Sequence, residues 1–120
     1  MSTDLEKLEN SLVSIASESY RVEKVFERVM KSLPPEEQSK YMSQFSWFSK
    51  KVSRALNEAG LRVVNLEGSI YDPGMAITPL NLDDFEIEDI LIVEQMIEPI
   101  IMQGDSVRKI GTAVLGRIEK

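Results

Sequence analysis

Residues 5–33 read LEKLENSLVSIASESYRVEKVFERVMKSL, and their apolar side chains recur at alternating steps of three and four. A stripe that repeats every 3.5 residues on average stays on one side of a helix when the helix coils about a partner. The spacing therefore predicts one long helix that associates through this stripe, about 45 Å long at 1.5 Å per residue. The polar position of the stripe is Ser19. Its apolar positions are Leu5, Leu8, Leu12, Ile15, Val22, Phe26, Val29 and Leu33.

A second amphipathic segment follows Pro34-Pro35. The prolines end the first helix, and Pro35 suits the first turn of the next one. We expect the second helix to end at Gly60 in a left-handed cap. Because the connection is short, the helices should be antiparallel neighbours, and two copies of the hairpin would build a four-helix bundle. The predicted dimer interface of this second helix consists of Phe45, Phe48 and Val52.

After Gly60 the sequence changes to short β segments separated by glycine and proline. Asp72-Pro73-Gly74-Met75 is predicted to form a type II turn, and Gln103-Gly104-Asp105-Ser106 a hairpin turn. The predicted fold class is α+β, with a helical dimerisation region over residues 1–60 and a small all-β domain over residues 61–120. Strands are predicted over residues 61–66, 75–78, 90–97 and 100–102, followed by a last strand over 107–118 that is bent or bulged at Gly111.

The composition excludes several classes of function. The 120 residues include 14 Lys and Arg and 20 Asp and Glu, and the net charge of −6 would repel a nucleic-acid backbone. Cysteine and histidine are absent, which removes thiolate nucleophiles, imidazole bases and the usual zinc ligands. We therefore expect no enzyme, no catalytic residue, no metal and no cofactor. No apolar run is long enough for a membrane helix and no signal peptide begins the chain, so we expect a cytoplasmic protein without a membrane partner.

Two groups of side chains have more than one interpretation. The acidic run over residues 83–89 contains enough carboxylates to hold a divalent cation, but it lacks the glycine and the terminal glutamate of a calcium loop. We favour a solvated acidic loop. Glycoside hydrolysis by paired carboxylates is disfavoured because no sequence pattern indicates an apolar pocket that would raise the pKa of one of them. For Trp47 we favour packing between the helices over a role as an interface anchor.

Two stretches of the chain resemble the GrpE family of nucleotide exchange factors. Residues 45–78, FSWFSKKVSRALNEAGLRVVNLEGSIYDPGMAIT, join an amphipathic helix, a Gly stop, a strand, a Gly and an aromatic-Asp-Pro turn followed by Ala-Ile. Residues 90–118, ILIVEQMIEPIIMQGDSVRKIGTAVLGRI, are similar to the family's closing strands, in which a glycine-centred hairpin leads to a Leu-Arg step and a Val-rich strand. The shared order of these motifs, behind an associating helix in an acidic chain, carries the resemblance.

The resemblance implies a homodimer whose β domain binds the ATPase domain of a DnaK-type chaperone and promotes release of ADP. Arg108 matches the Arg of the family's Leu-Arg step, and the other residues follow from their positions around the Asp-Pro turn and in the closing strands. Transferred by position, the chaperone-binding residues are Tyr71, Pro73, Met96, Arg108 and Val114.

The chain also departs from the family's pattern. The His that usually follows Asp-Pro is missing, the segment over residues 73–76 is shorter, and Pro99-Ile100 replaces the family's Gly-Tyr. Asp105 stands where the family uses a basic residue in the hairpin. These departures favour an alternative function, a dimeric adaptor or assembly protein that has the same architecture and no exchange activity.

Overall fold

The structure is a computed structural model that describes residues 3–118. It confirms the α+β class, with two long helices followed by a small β region of two sheets. The chain divides into two compact units, Met1–Arg62 and Val63–Lys120. We call the second of these the β unit. The elements are α1 (Asp4–Lys31), α2 (Pro35–Glu58), β1 (Leu61–Val64), β2 (Ile77–Pro79), β3 (Leu91–Glu98), β4 (Ile100–Gln103), β5 (Ser106–Lys109) and β6 (Gly111–Arg117), with a 3₁₀ turn over Leu82–Asp84.

The helices begin and end where capping chemistry predicts. The Thr3 hydroxyl accepts a hydrogen bond from the backbone N–H of Glu6 at 3.1 Å, which satisfies one of the free donors of the first turn of α1. Pro35 occupies the first turn of α2, where its missing N–H costs no hydrogen bond. Gly60 follows α2 with a φ of +80°, which confirms the predicted left-handed cap.

The helices α1 and α2 form an antiparallel hairpin. The rings of Phe26 and Phe45 stack with their centroids 4.1 Å apart. The Ser49 hydroxyl donates to a carboxylate oxygen of Glu23 at 2.9 Å. Of these two contacts, the one that lies earlier on α1 lies later on α2. The two helices therefore run antiparallel, as the short connection predicts.

The β region contains two three-stranded sheets, ordered β1-β4-β5 and β2-β6-β3. The chain leaves the second sheet after β3, forms β4 and β5 in the first, and returns to the second as β6. Pro99 lies between β3 and β4, where the chain crosses to the first sheet, and Ile110 lies between β5 and β6, where it returns to the second. The prediction of one continuous last strand is therefore wrong, because β5 pairs with β4 whereas β6 pairs with β3.

The core of the second sheet is formed by cross-strand pairs between β3 and β6. Val93 lies opposite Leu115, and Met96 lies opposite Ala113. All four side chains are buried. Successive side chains of β6 point to opposite faces of the sheet. Val114, between Ala113 and Leu115, therefore lies on the face away from this core, where it is half-exposed.

The two predicted turns differ in outcome. Around Pro73 the backbone N–H of Met75 donates to the carbonyl of Asp72 at 2.9 Å, so a turn is present. It is not type II, since Gly74 does not have the positive φ that type II requires. Instead the Asp72 carboxylate accepts from the N–H of Gly74 at 2.8 Å. The hairpin turn is confirmed, with Gln103 paired to Ser106 and a φ of +59° at Gly104 between them.

Substituting Gly111 by alanine is expected to destabilise the fold. A Cβ atom at Gly111 would lie 2.8 Å from the carbonyl oxygen of Glu98 and 2.8 Å from the terminal methyl of Met96. Since the backbone oxygen cannot turn away, we expect a loss of about 1–3 kcal/mol in the free energy of unfolding. Thermal or urea unfolding measures it.

Gly116→Ala is the matched control on the same strand. The atoms nearest to its Cβ would all belong to the exposed Glu94 side chain, whose carboxylate end can move aside. An equal loss from both substitutions would contradict the close approach at Gly111.

Candidate functional site

One half of the apolar repeat predicted on α1 is exposed to solvent. Leu8, Ile15, Val22 and Val29 follow one another at steps of seven, and their exposed fractions lie between 51% and 65%. We call these four residues the α1 stripe. Over 21 residues of helix they form a line about 31 Å long. A continuous apolar line of this length on a helix is the pattern that a second helix covers.

The other half of the predicted stripe turns toward α2. Leu12, Phe26 and Leu33 are half-buried, and Phe26 stacks on Phe45. The hairpin therefore uses one side of the repeat within the chain and leaves the other side exposed. Leu5, near the start of α1, is exposed as well.

The aromatic residues of α2 are divided between two environments. Phe45 and Val52 are half-buried, while Phe48 is exposed beside the ring of Phe45. The expectation that Trp47 packs between the helices is wrong, because its side chain is 67% exposed and the Lys51 amine lies 5.2 Å above its ring. Trp47 follows Phe45 by two residues, which turns it about 200° around the helix axis to the opposite side.

The residues transferred from the GrpE resemblance come from different elements of the β region. Tyr71 and Pro73 line the same groove. Arg108, on β5, donates to the Gln103 side chain at 2.6 Å across the hairpin. Val114 lies half-exposed on β6.

Met96 is misplaced as a binding residue. Its side chain is fully buried, and its backbone N–H donates to a carboxylate oxygen of Glu67 at 2.8 Å. The irregular pairing of β3 around this position turns the residue into the core. A partner cannot reach the Met96 side chain without opening the fold.

The groove that contains Tyr71 and Pro73 has a volume of about 640 Å³. Its apolar lining includes Ile70, Leu82, Phe85, Ile87 and Ile90, and three carboxylates, Asp83, Glu86 and Asp89, stand beside them. We call this feature the acidic groove. It falls within the β unit, between the turn at residues 70–73 and the loop over residues 82–90.

Hydrogen bonds that involve backbone groups hold both walls of the acidic groove. On one side the N–H of Tyr71 donates to the carbonyl of Leu91 at 2.8 Å. On the other side the Asp89 carboxylate accepts from the N–H of Glu86 at 2.9 Å and closes the loop. The Asn81 side chain anchors the start of this loop to β6, with bonds of 3.0 and 2.9 Å to the carbonyl and N–H of Leu115. Hydrogen bonds thus tie the acidic loop to the rest of the fold, and its carboxylates at residues 83, 84, 86 and 88 are exposed, as predicted for a solvated loop.

No protein family, curated protein or solved structure matches the chain.

Two further properties bear on the kind of site. Within residues 3–118, no group of three or more Asp, Glu, His or Cys side chains is arranged to hold a metal ion. Neither α1 nor α2 contains a window apolar enough to cross a bilayer, and this holds for every helix among the described residues.

The charge is divided unequally along the sequence, a signal that the sequence analysis missed. Residues 1–62 contain 10 basic and 9 acidic residues, a net charge of +1, whereas residues 63–120 contain 4 basic and 11 acidic residues, a net charge of −7. No Lys or Arg occurs between Arg62 and Arg108. Two isoleucines, Ile87 and Ile90, are also interspersed among the carboxylates of residues 86–90, which is the signal that could have pointed to the acidic groove.

Proposed function

We propose that the protein is a GrpE-like nucleotide exchange factor that works in the cytoplasm as a homodimer. In this proposal the α1 stripes of two copies cover each other, and each β unit binds the ATPase domain of a DnaK-type chaperone. The observation that supports it best is the exposed, heptad-spaced stripe on a long helical hairpin that precedes a small β unit.

A second copy is the simplest partner for the α1 stripe. A twofold axis would place identical stripes against each other, so both helices present the same spacing of seven. Burial of each large apolar side chain is worth about 1.5–3 kcal/mol before entropy is counted, and an isolated hairpin does not gain this energy. Tyr41 and Phe48 are exposed on α2 and would extend the interface into a four-helix bundle.

The proposed mechanism is a shift of populations rather than covalent chemistry. The β unit would bind the open form of the chaperone's nucleotide cleft more tightly than the closed form, and nucleotide leaves faster from the open form. A tenfold change in the ratio of the two forms requires a difference in binding free energy of about 1.4 kcal/mol. The proposed contacts are Tyr71, Pro73, Arg108 and Val114.

Release of a fluorescent ADP analogue from DnaK-type ATPases tests this function. At equimolar chain we expect at least about tenfold faster release from the cognate chaperone, equivalent to about 1.4 kcal/mol. Val114→Lys should abolish the acceleration, because a charged side chain would replace a half-exposed apolar contact. Thr78→Lys adds the same charge at an exposed position outside the proposed contacts and should keep it. Unchanged release with every chaperone tried, by a chain that is folded and dimeric, would reject exchange activity.

A dimeric adaptor without exchange activity is the second candidate. Two observations favour it: Met96 is buried instead of exposed, and Asp105 occupies the hairpin position where the GrpE family uses a basic residue. In this case the chain would bind its partner and leave nucleotide release unchanged. The same assay, combined with a pull-down of the chaperone, separates the two functions.

A further inference from the structure

We propose that the acidic groove is a docking site for a protein segment that combines lysine or arginine with large apolar side chains. This inference goes beyond nucleotide exchange, although Tyr71 and Pro73, two of the proposed chaperone contacts, line the same groove. It rests on three properties of the groove: its exposed aliphatic side chains, its carboxylates, and the absence of basic side chains among its lining residues.

The apolar part of the groove is unusually open. Ile87 is fully exposed at the tip of the loop, and Ile70 and Ile90 are more than half exposed. These residues come together with Leu82 along one groove of a small unit, so water contacts a cluster of aliphatic surface. Clusters of this kind, bordered by polar groups, mark sites of protein interaction.

The carboxylates define the chemistry of the occupant. Asp83, Glu86 and Asp89 border the apolar side chains, and among the described residues that line the groove none is basic. With no Lys or Arg between Arg62 and Arg108, the chain itself supplies little positive charge to this part of the sequence. A basic segment gains attraction from these carboxylates, and its apolar side chains cover the isoleucines. A purely apolar segment satisfies only the apolar feature, and an acidic segment is repelled by the carboxylates.

The size and rigidity of the groove fit a short segment. A volume of about 640 Å³ accommodates a few side chains, and hydrogen bonds from Tyr71, Glu86 and Asn81 hold the walls before any partner arrives. A groove formed in advance loses little conformational entropy on binding.

A defined peptide tests the proposal without any chaperone. The probe is a fluorescein-labelled peptide of about eight residues, spanning about 26 Å when extended, in which lysine or arginine alternates with leucine or phenylalanine. Fluorescence anisotropy should show saturable binding to the full-length chain with one peptide per copy. Because charges contribute, affinity should fall when ionic strength rises from about 0.05 M to about 0.5 M. A peptide with glutamate in place of every basic residue should not bind.

Two pairs of matched variants assign the site. Asp83→Asn with Glu86→Gln should weaken binding at least about tenfold, whereas Glu94→Gln with Asp105→Asn, which removes the same charge from exposed positions outside the groove, should change it less than about twofold. Ile87→Ser with Ile90→Ser should also weaken binding at least about tenfold. Its control is Val107→Ser with Ile110→Ser, which removes exposed apolar side chains outside the groove.

Several results would overturn the proposal. Equal weakening by the two charge pairs would mean that net charge alone holds the peptide. Undiminished binding to the Ile87/Ile90 variant would remove the apolar part of the site. A change in self-association instead of peptide affinity, measured by sedimentation, would assign the groove to a second copy of this chain. Circular dichroism and melting temperature establish that each variant is folded.

Discussion

The chain carrying Ile15→Asp and Val22→Asp is expected to sediment as a monomer at concentrations where we propose that the unmodified chain is a dimer. Both residues are central in the α1 stripe and more than half exposed in the single chain. In a symmetric dimer the two substitutions place four carboxylates in one apolar interface, where charged groups without partners lose hydration. We expect a dissociation constant at least about a thousandfold higher, equivalent to about 4 kcal/mol. Analytical ultracentrifugation over a concentration series measures the shift.

The control for the stripe variant is Asn10→Asp with Ser14→Asp. These positions are exposed on α1 outside the stripe, and the change in net charge is the same. The control should remain dimeric, and circular dichroism should show full helix content for both variants. If the stripe variant dimerised as well as its control, the stripe would not be the interface. A monomeric unmodified chain at micromolar concentration would remove the dimer from the proposed function altogether.

Met96→Ala is expected to lower the free energy of unfolding by about 2–5 kcal/mol, because it leaves a cavity in a fully packed core. Met96 lies opposite Ala113 on β6, and its terminal methyl approaches Gly111, so neighbouring atoms surround it on several sides. In a β unit of this size such a loss lowers the melting temperature by about 4–8 °C per kcal/mol. Calorimetry or urea unfolding measures it.

Met96→Leu distinguishes a core residue from a binding residue. Leucine has a similar volume, so this variant should lose less than about 1.5 kcal/mol and keep every binding activity of the unmodified chain. If Met96→Ala instead left stability unchanged and weakened a partner complex, Met96 would belong to a binding surface, contrary to its burial here.

The helical half could be predicted from the sequence because its signals are local. Thr3, the Pro34-Pro35 pair and Gly60 each act on the backbone within a few residues, and the structure has helix ends at all three places. The side that each helix buries was less predictable. The repeat of three and four placed Ile15 and Phe26 on one stripe, yet α2 covers Phe26 and leaves Ile15 exposed, since the angle between the two helices depends on how both surfaces pack.

The β half was harder to predict because its strands pair over long separations. The apolar run through residues 107–118 has the same local character throughout, and only pairing assigns Val107 to one sheet and Leu115 to the other. Irregular pairing in β3 likewise turned Met96 into the core, although its place before the hairpin had marked it as a contact. The register of a strand decides which side each residue faces, and register depends on the partner strand.

The acidic groove shows the same limit. The carboxylates over residues 83–89 were visible as a run, and a solvated loop was the expected outcome. The side chain of Asn81 binds the backbone of Leu115, 34 residues later, and this contact fixes the loop beside Tyr71. No local pattern indicates that contact.

The sequence by itself determined the helix boundaries, the apolar repeat along α1, and the concentration of negative charge after residue 62, because these depend on neighbouring residues or on composition. Only the tertiary structure decided which apolar residues stay exposed, that Met96 is core, and that isoleucines and carboxylates share one groove. These outcomes depend on contacts between residues far apart in the chain, whose free energy arises only when the whole unit has folded.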